Sequence, residues 1–274
     1  MLNKYSCYKI PFLLVIFLGL CHFTSNGQDI SISPVVMRLS GKPGEIINRV
    51  IYISNTGKST YEFQVNMKDW KRDSLGNKLY SDPGTLLHSN ANWVSFPETD
   101  FKLLPAEKKE FPIYIQIPEK IDPSMSTNSM LFITQINPFE KSTNHKALGI
   151  KVSYEFGVQL LYSPEKADVG TILYKNLEHV IDSVTKTSLV KISIQNTGTV
   201  HKNGVINVEL TNKQTGEEIK LDPLSFAILP LDFQYIYFKI PTALATGEYL
   251  LIALLDAGKD TELKVAEKNI HVED

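Results

Sequence analysis

The sequence predicts an all-β protein made of two tandem immunoglobulin-like β-sandwiches, and three observations support this fold. Apolar residues alternate with polar ones along most of the chain, which is typical of half-buried strands. Gly, Pro, Asn and Asp interrupt the alternation about every 8–12 residues, as expected for a sandwich. The third observation is an internal duplication, in which two short patterns recur in the same order in both halves of the chain.

The duplication consists of two matched pairs of segments. Residues 51–57 read IYISNTG and residues 192–198 read ISIQNTG, so each alternating run ends in Asn-Thr-Gly. Further along, a Leu-Pro pair at residues 104–105 and another at 229–230 each precede a new alternating run. The offsets are 141 residues (196 − 55) and 125 residues (229 − 104). Because both matches keep their order at similar spacing, we expect one β-fold to be used twice.

The amino-terminal residues have the pattern of a secretory signal peptide. Two lysines precede an apolar run at residues 11–20, and Ser25 and Gly27 are small residues just before the predicted cleavage site. An apolar run of this length is too short for a membrane span, which needs about 20 residues. We therefore expect residues 1–27 to be a signal peptide that directs the chain to the periplasm or cell envelope.

A lipid anchor is an alternative interpretation of this leader. Residues 18–21 read LGLC and resemble a bacterial lipoprotein signal, in which Cys21 would carry the lipid. That signal requires a small residue before the cysteine, and Leu20 is large, so cleavage after residue 27 is favoured. This cleavage would also remove both cysteines, Cys7 and Cys21, and core packing alone would then stabilise the exported protein.

The predicted boundary between the two domains is the polar, proline-containing segment at residues 163–166, which gives domains 28–163 and 164–274. In the first domain the alternation predicts strands at residues 30–38, 46–54, 60–69, 93–96, 109–117, 129–137 and 149–162. In the second domain it predicts strands at residues 171–173, 188–195, 204–212, 233–240, 248–256 and 263–272.

The sequence contains no recognisable pattern for catalysis or metal binding. The histidines form no His-x-His or His-Glu-x-x-His pair, and neither a G-x-S-x-G elbow nor a glycine-rich phosphate loop occurs. Asp73 and Asn77 share a polar loop, but the spacing of a calcium-binding EF-hand is missing. The net charge of −2 gives no basic footprint for nucleic acid. We therefore predict a binding protein without enzymatic activity, cofactor or metal.

The segment that we expect to carry the function is the strand at residues 149–162. One face of it is apolar and consists of Ile150, Val152, Tyr154, Phe156, Val158, Leu160 and Tyr162. A typical strand has only about 5–6 residues, so this one is longer than a small sandwich needs. Two interpretations follow: it is a core strand that continues into the linker, or its far end lies on an edge and pairs with an incoming strand.

In these features the first domain resembles the N-terminal domain of the periplasmic pilus-assembly (PapD-like) chaperones, over most of residues 30–164. The matching features, in chain order, are Arg38 shortly before Gly41, the strand and turn at 51–57, the strand end at Asp69-Trp70, the Leu-Pro pair at 104–105, the strand at 128–133, and a last strand that closes on Tyr162-Ser163-Pro164.

The resemblance implies that the last strand is lent to an unfinished, β-rich exported subunit, with Ile150, Val152 and Tyr154 filling its groove. The family also anchors the subunit's C-terminal carboxylate, with an arginine in the first strand and a lysine in the last. In this sequence those positions fall on Arg38 and Gln159. An amide cannot replace the charge-assisted bond of an ammonium to a carboxylate, so we expect the capping strand to be kept and the anchor to be lost.

A weaker resemblance is to the two-domain cell-surface proteins of Gram-positive bacteria that bind peptidoglycan or host proteins. It leaves open a second hypothesis, an adhesion module of the cell envelope that binds glycan or protein through its loops. Exposed aromatic residues often stack on sugars, but Trp70 and Trp93 end or open predicted strands. We therefore predict that both tryptophans serve packing.

Overall fold

The computed structural model describes residues 29–137, 139–140, 151–242, 244–258 and 261–272. In these ranges the regular structure is β, apart from one turn of 3-10 helix at Ala91–Trp93. The predicted signal peptide, with its alternative lipid site at Cys21, lies outside the described residues, and so does Ile150. A search of the described residues finds no helix that is both long and apolar enough to cross a membrane.

The first sandwich consists of two sheets that face each other. Its strands are β1 (Ile30–Ser33), β2 (Val36–Leu39), β3 (Ile46–Asn55), β4 (Tyr61–Arg72), β5 (Lys78–Ser81), β6 (Val94–Ser95), β7 (Asp100–Leu103), β8 (Lys108–Gln116), β9 (Thr127–Gln135), β10 (Phe139–Glu140), β11 (Lys151–Val152) and β12 (Glu155–Tyr162). One sheet has the order β1-β3-β8-β6, and the other has the order β2-β12-β9-β4-β5 with β7 also on β4. β10 and β11 pair with each other in a separate two-stranded ladder. Between them lies an apolar core that includes Phe63, Phe111 and Leu160.

The second sandwich has its own core, which includes Val190, Leu210 and Tyr249. Its strands are β13 (Ile172–Ile181), β14 (Ser188–Asn196), β15 (Lys202–Asn212), β16 (Glu218–Lys220), β17 (Leu224–Ile228), β18 (Phe233–Lys239), β19 (Gly247–Asp256) and β20 (Lys264–Val272). The sheets have the orders β13-β14-β18 and β16-β15-β19-β20, with β17 also on β15. The predicted all-β fold of two sandwiches is confirmed. The boundary at residues 163–166 stays a prediction and falls between β12 and β13.

The single strand predicted at residues 30–38 is wrong, because this segment forms two strands in different sheets. β1 pairs with β3 in one sheet, whereas β2 runs parallel to β12 in the other. Pro34 lies between them and has no N–H to donate to a strand ladder, which explains why the first pairing stops there. The crossing between sheets carries Arg38 to a position beside Leu161 of β12.

The continuous strand predicted at residues 149–162 is also wrong. β11 pairs with β10, and β12 begins only at Glu155. In the gap, Tyr154 donates its backbone N–H to the side-chain Oε1 of Gln135 at 3.1 Å, and its carbonyl accepts the Gln135 N–H at 2.8 Å. The side chain of Gln135 therefore accepts a hydrogen bond that a backbone carbonyl would accept in a regular ladder. The longest described strand is β4, with 12 residues.

Other differences from the prediction concern short or irregular strands. The strand predicted at residues 171–173 is longer than expected and runs to Ile181. The prediction stopped early because a bulge between Tyr174 and Asn176 interrupts the alternation of the sequence. The strand predicted at residues 93–96 is reduced to the two residues of β6. Strands β5, β7, β16 and β17 have three to five residues and too few alternations to be predicted.

The first Asn-Thr-Gly copy ties two loops together through the buried side chain of Asn55. Its Nδ2 donates to the carbonyls of Ser59 at 2.8 Å and of Leu104 at 2.9 Å. Its Oδ1 accepts the backbone N–H of Gly57 at 2.9 Å. The asparagine thus joins its own turn to the Leu-Pro segment that forms the second part of the duplicated pattern.

The second copy makes the same contacts in the other sandwich. The Nδ2 of Asn196 donates to the carbonyls of Val200 at 2.8 Å and of Leu229 at 3.0 Å, and its Oδ1 accepts the N–H of Gly198 at 3.0 Å. The two halves of each sequence match are therefore in physical contact, which explains why they recur together.

The Asn55→Ala substitution should lower the free energy of unfolding of the first sandwich by at least about 2 kcal/mol, since it leaves buried carbonyls without donors. Asn55 is only 1% exposed, so water cannot replace the lost bonds. Urea unfolding followed by tryptophan fluorescence would measure the change. Asn48→Ala, at an exposed position in β3, is the matched control, and equal midpoints for the two variants would contradict this role.

Candidate functional site

The apolar face of β12 enters the core of the first sandwich. Val158, Leu160 and Tyr162 alternate along the strand, and each is fully buried. The hydroxyl of Tyr162 donates to the carbonyl of Gly41 at 2.9 Å, which ties the end of β12 to the loop after β2. This half of the predicted strand is a core strand, and its burial determines which face points inward.

The same face becomes exposed towards the start of the segment. Phe156 and Tyr154 are only partly buried against the core. The Tyr154 ring lies 6.0 Å from the ring of Phe156 and 6.0 Å from that of Tyr61. Val152 is 54% exposed. The alternating apolar residues therefore change from buried at Val158 to exposed at Val152.

One edge of β12 is covered over only half its length. Its parallel neighbour β2 pairs with residues 159–162, and the Gln159 N–H donates to the Val35 carbonyl at 2.9 Å where this pairing begins. Among the described residues, no strand pairs with residues 155–158 on that side. The other side is fully paired with β9. The free edge thus lies directly beside the exposed end of the apolar row.

The outer face of this sheet carries a second, smaller apolar cluster. Trp70, Met130, Phe132 and Leu161 are buried in it, and Leu229 of the second sandwich packs against it. At Gly157 a Cβ would come within 2.9 Å of the Met130 sulfur, so the glycine allows this cluster to lie flat on β12. Contacts on both faces make β9 and the second half of β12 a rigid platform.

A cleft of about 530 Å³ opens between the two sandwiches beside this cluster, and Arg38 and Gln159 both line it. The structure thus brings together the two residues that the resemblance assigned to the anchor. Arg38 donates from Nη2 to the side-chain oxygen of Asn203, also on the cleft, at 2.8 Å. The acceptor of this hydrogen bond is a neutral amide, and a hydrogen bond from Arg38 to a carboxylate would be stronger.

Arg72 is a cleft residue that the sequence analysis missed. It is the last residue of β4, which the alternation predicted to end at residue 69. Its guanidinium lies 5.4 Å from the centroid of the Trp70 ring, and its Nη1 donates to the Gly76 carbonyl. Burial lowers the pKa of Arg72, while the Asp232 carboxylate opposes this shift. Arginine still remains protonated at neutral pH.

His201 and Lys202 bring further basic side chains to the cleft from the second sandwich. Burial, together with the positive charge of Arg38, lowers the pKa of His201 to about 4, so its ring is neutral at pH 7. Burial also lowers the pKa of Lys202, and Asp168 opposes that shift. Nothing in the sequence of the second domain singled out these residues, since they become neighbours of Arg38 only through the docking of the two sandwiches.

The β4–β5 turn holds the cleft together by reaching the second sandwich. The Asp73 carboxylate accepts the backbone N–H groups of Leu75 and Asn77, each at 2.9 Å, and the side-chain amide of Asn77 at 3.0 Å. This loop presents its Ser74 carbonyl to the N–H of Tyr235 in β18 at 2.7 Å. The aspartate therefore serves the turn, and no metal-binding group of acidic, histidine or cysteine side chains occurs within the described residues.

Of the five residues predicted to bind the partner, four lie in the described structure. Val152 and Tyr154 lie at the exposed start of the apolar row, and Arg38 and Gln159 lie in the cleft at its other end. Ile150 is outside the described residues.

Trp70 is buried, and Trp93 is partly buried and packs against the core of the first sandwich. Trp70 is 2% exposed and donates from Nε1 to the carbonyl of Ser129 at 3.1 Å. The ring of Trp93 lies edge-on at 5.3 Å from that of Tyr162. The buried Trp70 ring therefore offers no exposed face on which a sugar could stack.

The buried, neutral state of His201 predicts a specific loss of stability in acid. In the unfolded chain this histidine would be protonated below its ordinary pKa of 6.5, whereas in the folded protein it resists protonation down to about 4. The unfolded state therefore binds more protons in this window, and folding loses up to about 3 kcal/mol as the pH falls through it. The His201→Gln variant should lack this part of the pH dependence.

Urea unfolding of wild type and variant at several pH values between 7.5 and 4 would measure the difference. His88→Gln, which removes a histidine from an exposed loop, is the control. Parallel pH profiles for wild type and His201→Gln would contradict the prediction.

Comparison with known proteins finds relatives only at the level of structure. No family model matches the chain, and no curated protein sequence matches it. The solved structure of the YadV chaperone is 9% identical with a TM-score of 0.49, and the match covers 89% of this chain and 100% of that one. A chain of the CsuC–CsuE chaperone–tip subunit complex from Csu pili of Acinetobacter baumannii is 12% identical with a TM-score of 0.48, covering 88% and 98%.

The CupB2 chaperone of Pseudomonas aeruginosa is similar to the same extent, with 10% identity, a TM-score of 0.44 and coverage of 87% of this chain and 98% of that one. The resemblance to pilus-assembly chaperones is thus found across most of the chain, at low identity. Because these identities are 12% or less and these TM-scores are below 0.5, the binding properties of those proteins are not transferred to this chain by the comparison.

Proposed function

We propose that this chain is an exported, chaperone-like protein of the periplasm or cell envelope, without enzymatic activity. Its partner is an unfinished β-rich secreted protein or pilus-type subunit. The partner pairs with residues 150–154 and with the unpaired side of β12.

The observation that carries this proposal is the gradient of burial along one apolar row. Val158 is 0% exposed and Val152 is 54% exposed, although both belong to the same alternating pattern. β12 is therefore held in the core, while β11, just before it in the chain, exposes an apolar side chain of the same row. A solitary exposed valine would need no explanation, but one at the end of a free strand edge does.

An incoming strand would gain from this edge in two ways. The uncovered backbone of residues 155–158 offers main-chain hydrogen bonds, and the side chains of Val152 and Tyr154 offer apolar surface for the partner's core. Fully burying an exposed valine side chain contributes about 1.5–3 kcal/mol, and Val152, which is 54% exposed, would contribute part of this in addition to the main-chain pairing. A partner that lacks a strand in its own sheet has the most to gain from this arrangement.

Val152→Asp should abolish capture of the partner and leave the fold intact. A charge at this position would have to be buried without a counter-ion when the partner strand pairs, whereas in the free protein the side chain remains in water. We expect a tagged full chain in its native host to co-purify one β-rich exported protein, and the variant to lose it. Mass spectrometry of the envelope fraction would identify what co-elutes.

Val265→Asp is the matched control, because Val265 is 52% exposed in β20 of the second sandwich. The partner should remain bound to this variant. A partner that binds both variants equally, or recovery of cell-wall material alone, would contradict strand pairing and favour an envelope adhesion module. If Val152→Asp lowered the unfolding midpoint as Val158→Asp should, residue 152 would belong to the core.

A further inference from the structure

The first sandwich has a pocket of about 300 Å³ at the end where β9 begins and β12 stops. Three parts of the chain form it: the loop at residues 82–90, the loop at residues 117–126, and the paired ends of β9 and β12. All the described residues that line it belong to the first sandwich, and none of them also lines the cleft between the sandwiches. The pocket is therefore a separate site.

Buried hydrogen bonds fix the shape of the loop at residues 82–90. Asp69 is buried, and its carboxylate accepts the backbone N–H groups of Gly84 at 3.1 Å and of Leu86 at 2.8 Å. The carbonyl of His88 accepts the N–H of Asn128 at 2.9 Å, which joins this loop to β9. This wall of the pocket is thus anchored to two strands of the sandwich.

The loop at residues 117–126 is also held at several points. The Asp122 carboxylate accepts the backbone N–H of Ser124 at 2.9 Å and its hydroxyl at 2.6 Å. Ser126 donates its N–H to the carbonyl of Thr199 at 3.1 Å and its hydroxyl to that of Ser163 at 2.9 Å. Because both loops are anchored, the pocket is preformed, and a ligand would order little of the chain on binding.

The interior of the pocket continues the apolar core of the sandwich. Leu131 and Ile133 are buried on the inward face of β9, and Thr127 lies on the same face at the start of the strand. The rings of Trp93 and Tyr162, which also line the pocket, lie edge-to-face at 5.3 Å. Aromatic side chains favour such neighbours, so the walls suit a further aromatic ring.

The hydroxyl of Thr127 is the polar group that distinguishes this pocket. Its Oγ1 is buried and has no hydrogen-bond partner within the described residues, and no other described lining residue has a buried side-chain atom in this condition. Buried polar groups are nearly always paired. Thr127 lies directly opposite Tyr162 in the sheet, which places the hydroxyl beside the aromatic walls. The pocket therefore suits an aromatic ring that carries one polar atom.

We propose that this pocket binds the tyrosine side chain of another polypeptide. The ring would pack against Trp93 and Tyr162, with the sulfur of Met125 also at the wall, and the phenolic hydroxyl would pair with Thr127 Oγ1. A volume of about 300 Å³ is small for a ligand pocket, which favours a single side chain.

The rim of the pocket favours a polypeptide as the source of this ring. Leu87 lies on the rim and is 91% exposed, which offers apolar surface to a residue beside the tyrosine. Lys120 and Asp122 are exposed on the opposite loop and offer charges of both signs. A free phenol could not reach these groups from inside the pocket. The site lies apart from the edge of β12, so it does not depend on the proposed function.

The proposal can be tested on the whole protein with N-acetyl-Ala-Tyr-Ala-amide, its phenylalanine counterpart, and p-cresol as the bare side chain. In a ¹H–¹⁵N spectrum the indole N–H signal of Trp93 should shift with the tyrosine peptide. The signal of Trp70 should not, because its Nε1 is buried outside the pocket and bonded to Ser129. The tyrosine peptide should bind about fivefold more tightly than the phenylalanine peptide, the factor expected for one ordinary hydrogen bond.

Thr127→Val removes the hydroxyl and keeps the shape of the side chain. It should weaken binding of the tyrosine peptide about fivefold and leave binding of the phenylalanine peptide unchanged. Thr134→Val is the matched control, because it removes a hydroxyl from the other end of β9, where Thr134 donates to Glu155 at 3.0 Å. Both peptides should bind this variant as they bind the wild type.

Three results would each overturn the tyrosine site: a shift of the Trp70 signal without that of Trp93, equal binding of the two peptides to the wild type, or unchanged affinity in Thr127→Val. Binding of p-cresol as tight as that of the tyrosine peptide would reject a polypeptide as the source. Val152→Asp should bind both peptides normally, so failure of the strand-pairing test and failure of this one are distinguishable.

Discussion

The parallel pairing of β2 with β12 is the contact on which the rest of the first sandwich and its binding surface depend. It buries Met37 and Leu39 in the core and places Arg38, which points the other way, in the cleft. Because β2 starts at Val36, the pairing stops at Gln159 and leaves the preceding part of β12 uncovered. A longer β2 would close the free edge, and a β2 retained in the first sheet would remove Arg38 from the cleft. One short strand thus determines how much of β12 is left without a neighbour on this side.

Alternation in the sequence was sufficient to predict the fold class, but it left open which face of the last strand is buried. The structure shows that Val158, Leu160 and Tyr162, which obey a strict period of two, face the core. It failed where the ladder is irregular. At Tyr154 the backbone N–H donates to the side chain of Gln135 and not to a backbone carbonyl. The hydrophobic pattern of the sequence does not reveal this change. The change of sheet at Pro34 is likewise invisible to periodicity, because both strands alternate normally on either side of it.

The cleft shows a different limit of sequence reasoning. Arg38 and Gln159 were singled out because they occupy two positions of a family pattern, although glutamine departs from the lysine of that pattern, whereas no pattern pointed to Arg72 or Lys202. Their proximity depends on docking contacts between sandwiches, such as the bond from Tyr235 to Ser74 and the packing of Leu229 on Trp70. Such contacts join residues that are far apart in the chain and that no sequence pattern marks as buried. The duplicated asparagines, by contrast, contact the Leu-Pro segment of their own sandwich, so both parts of each repeat could be recognised in the sequence although their contact could not.

The free edge of β12 would constrain the register in which a partner strand could pair. Main-chain pairing alone permits several registers, because its hydrogen bonds repeat along the strand. The side chains beside this edge differ along its length, since Val158 is buried and Val152 is 54% exposed. A partner strand would therefore gain apolar contact only towards the start of the row, and β2 would block pairing from Gln159 onwards. The register would thus be limited from both sides, by the exposed apolar residues at one end and by the start of β2 at the other.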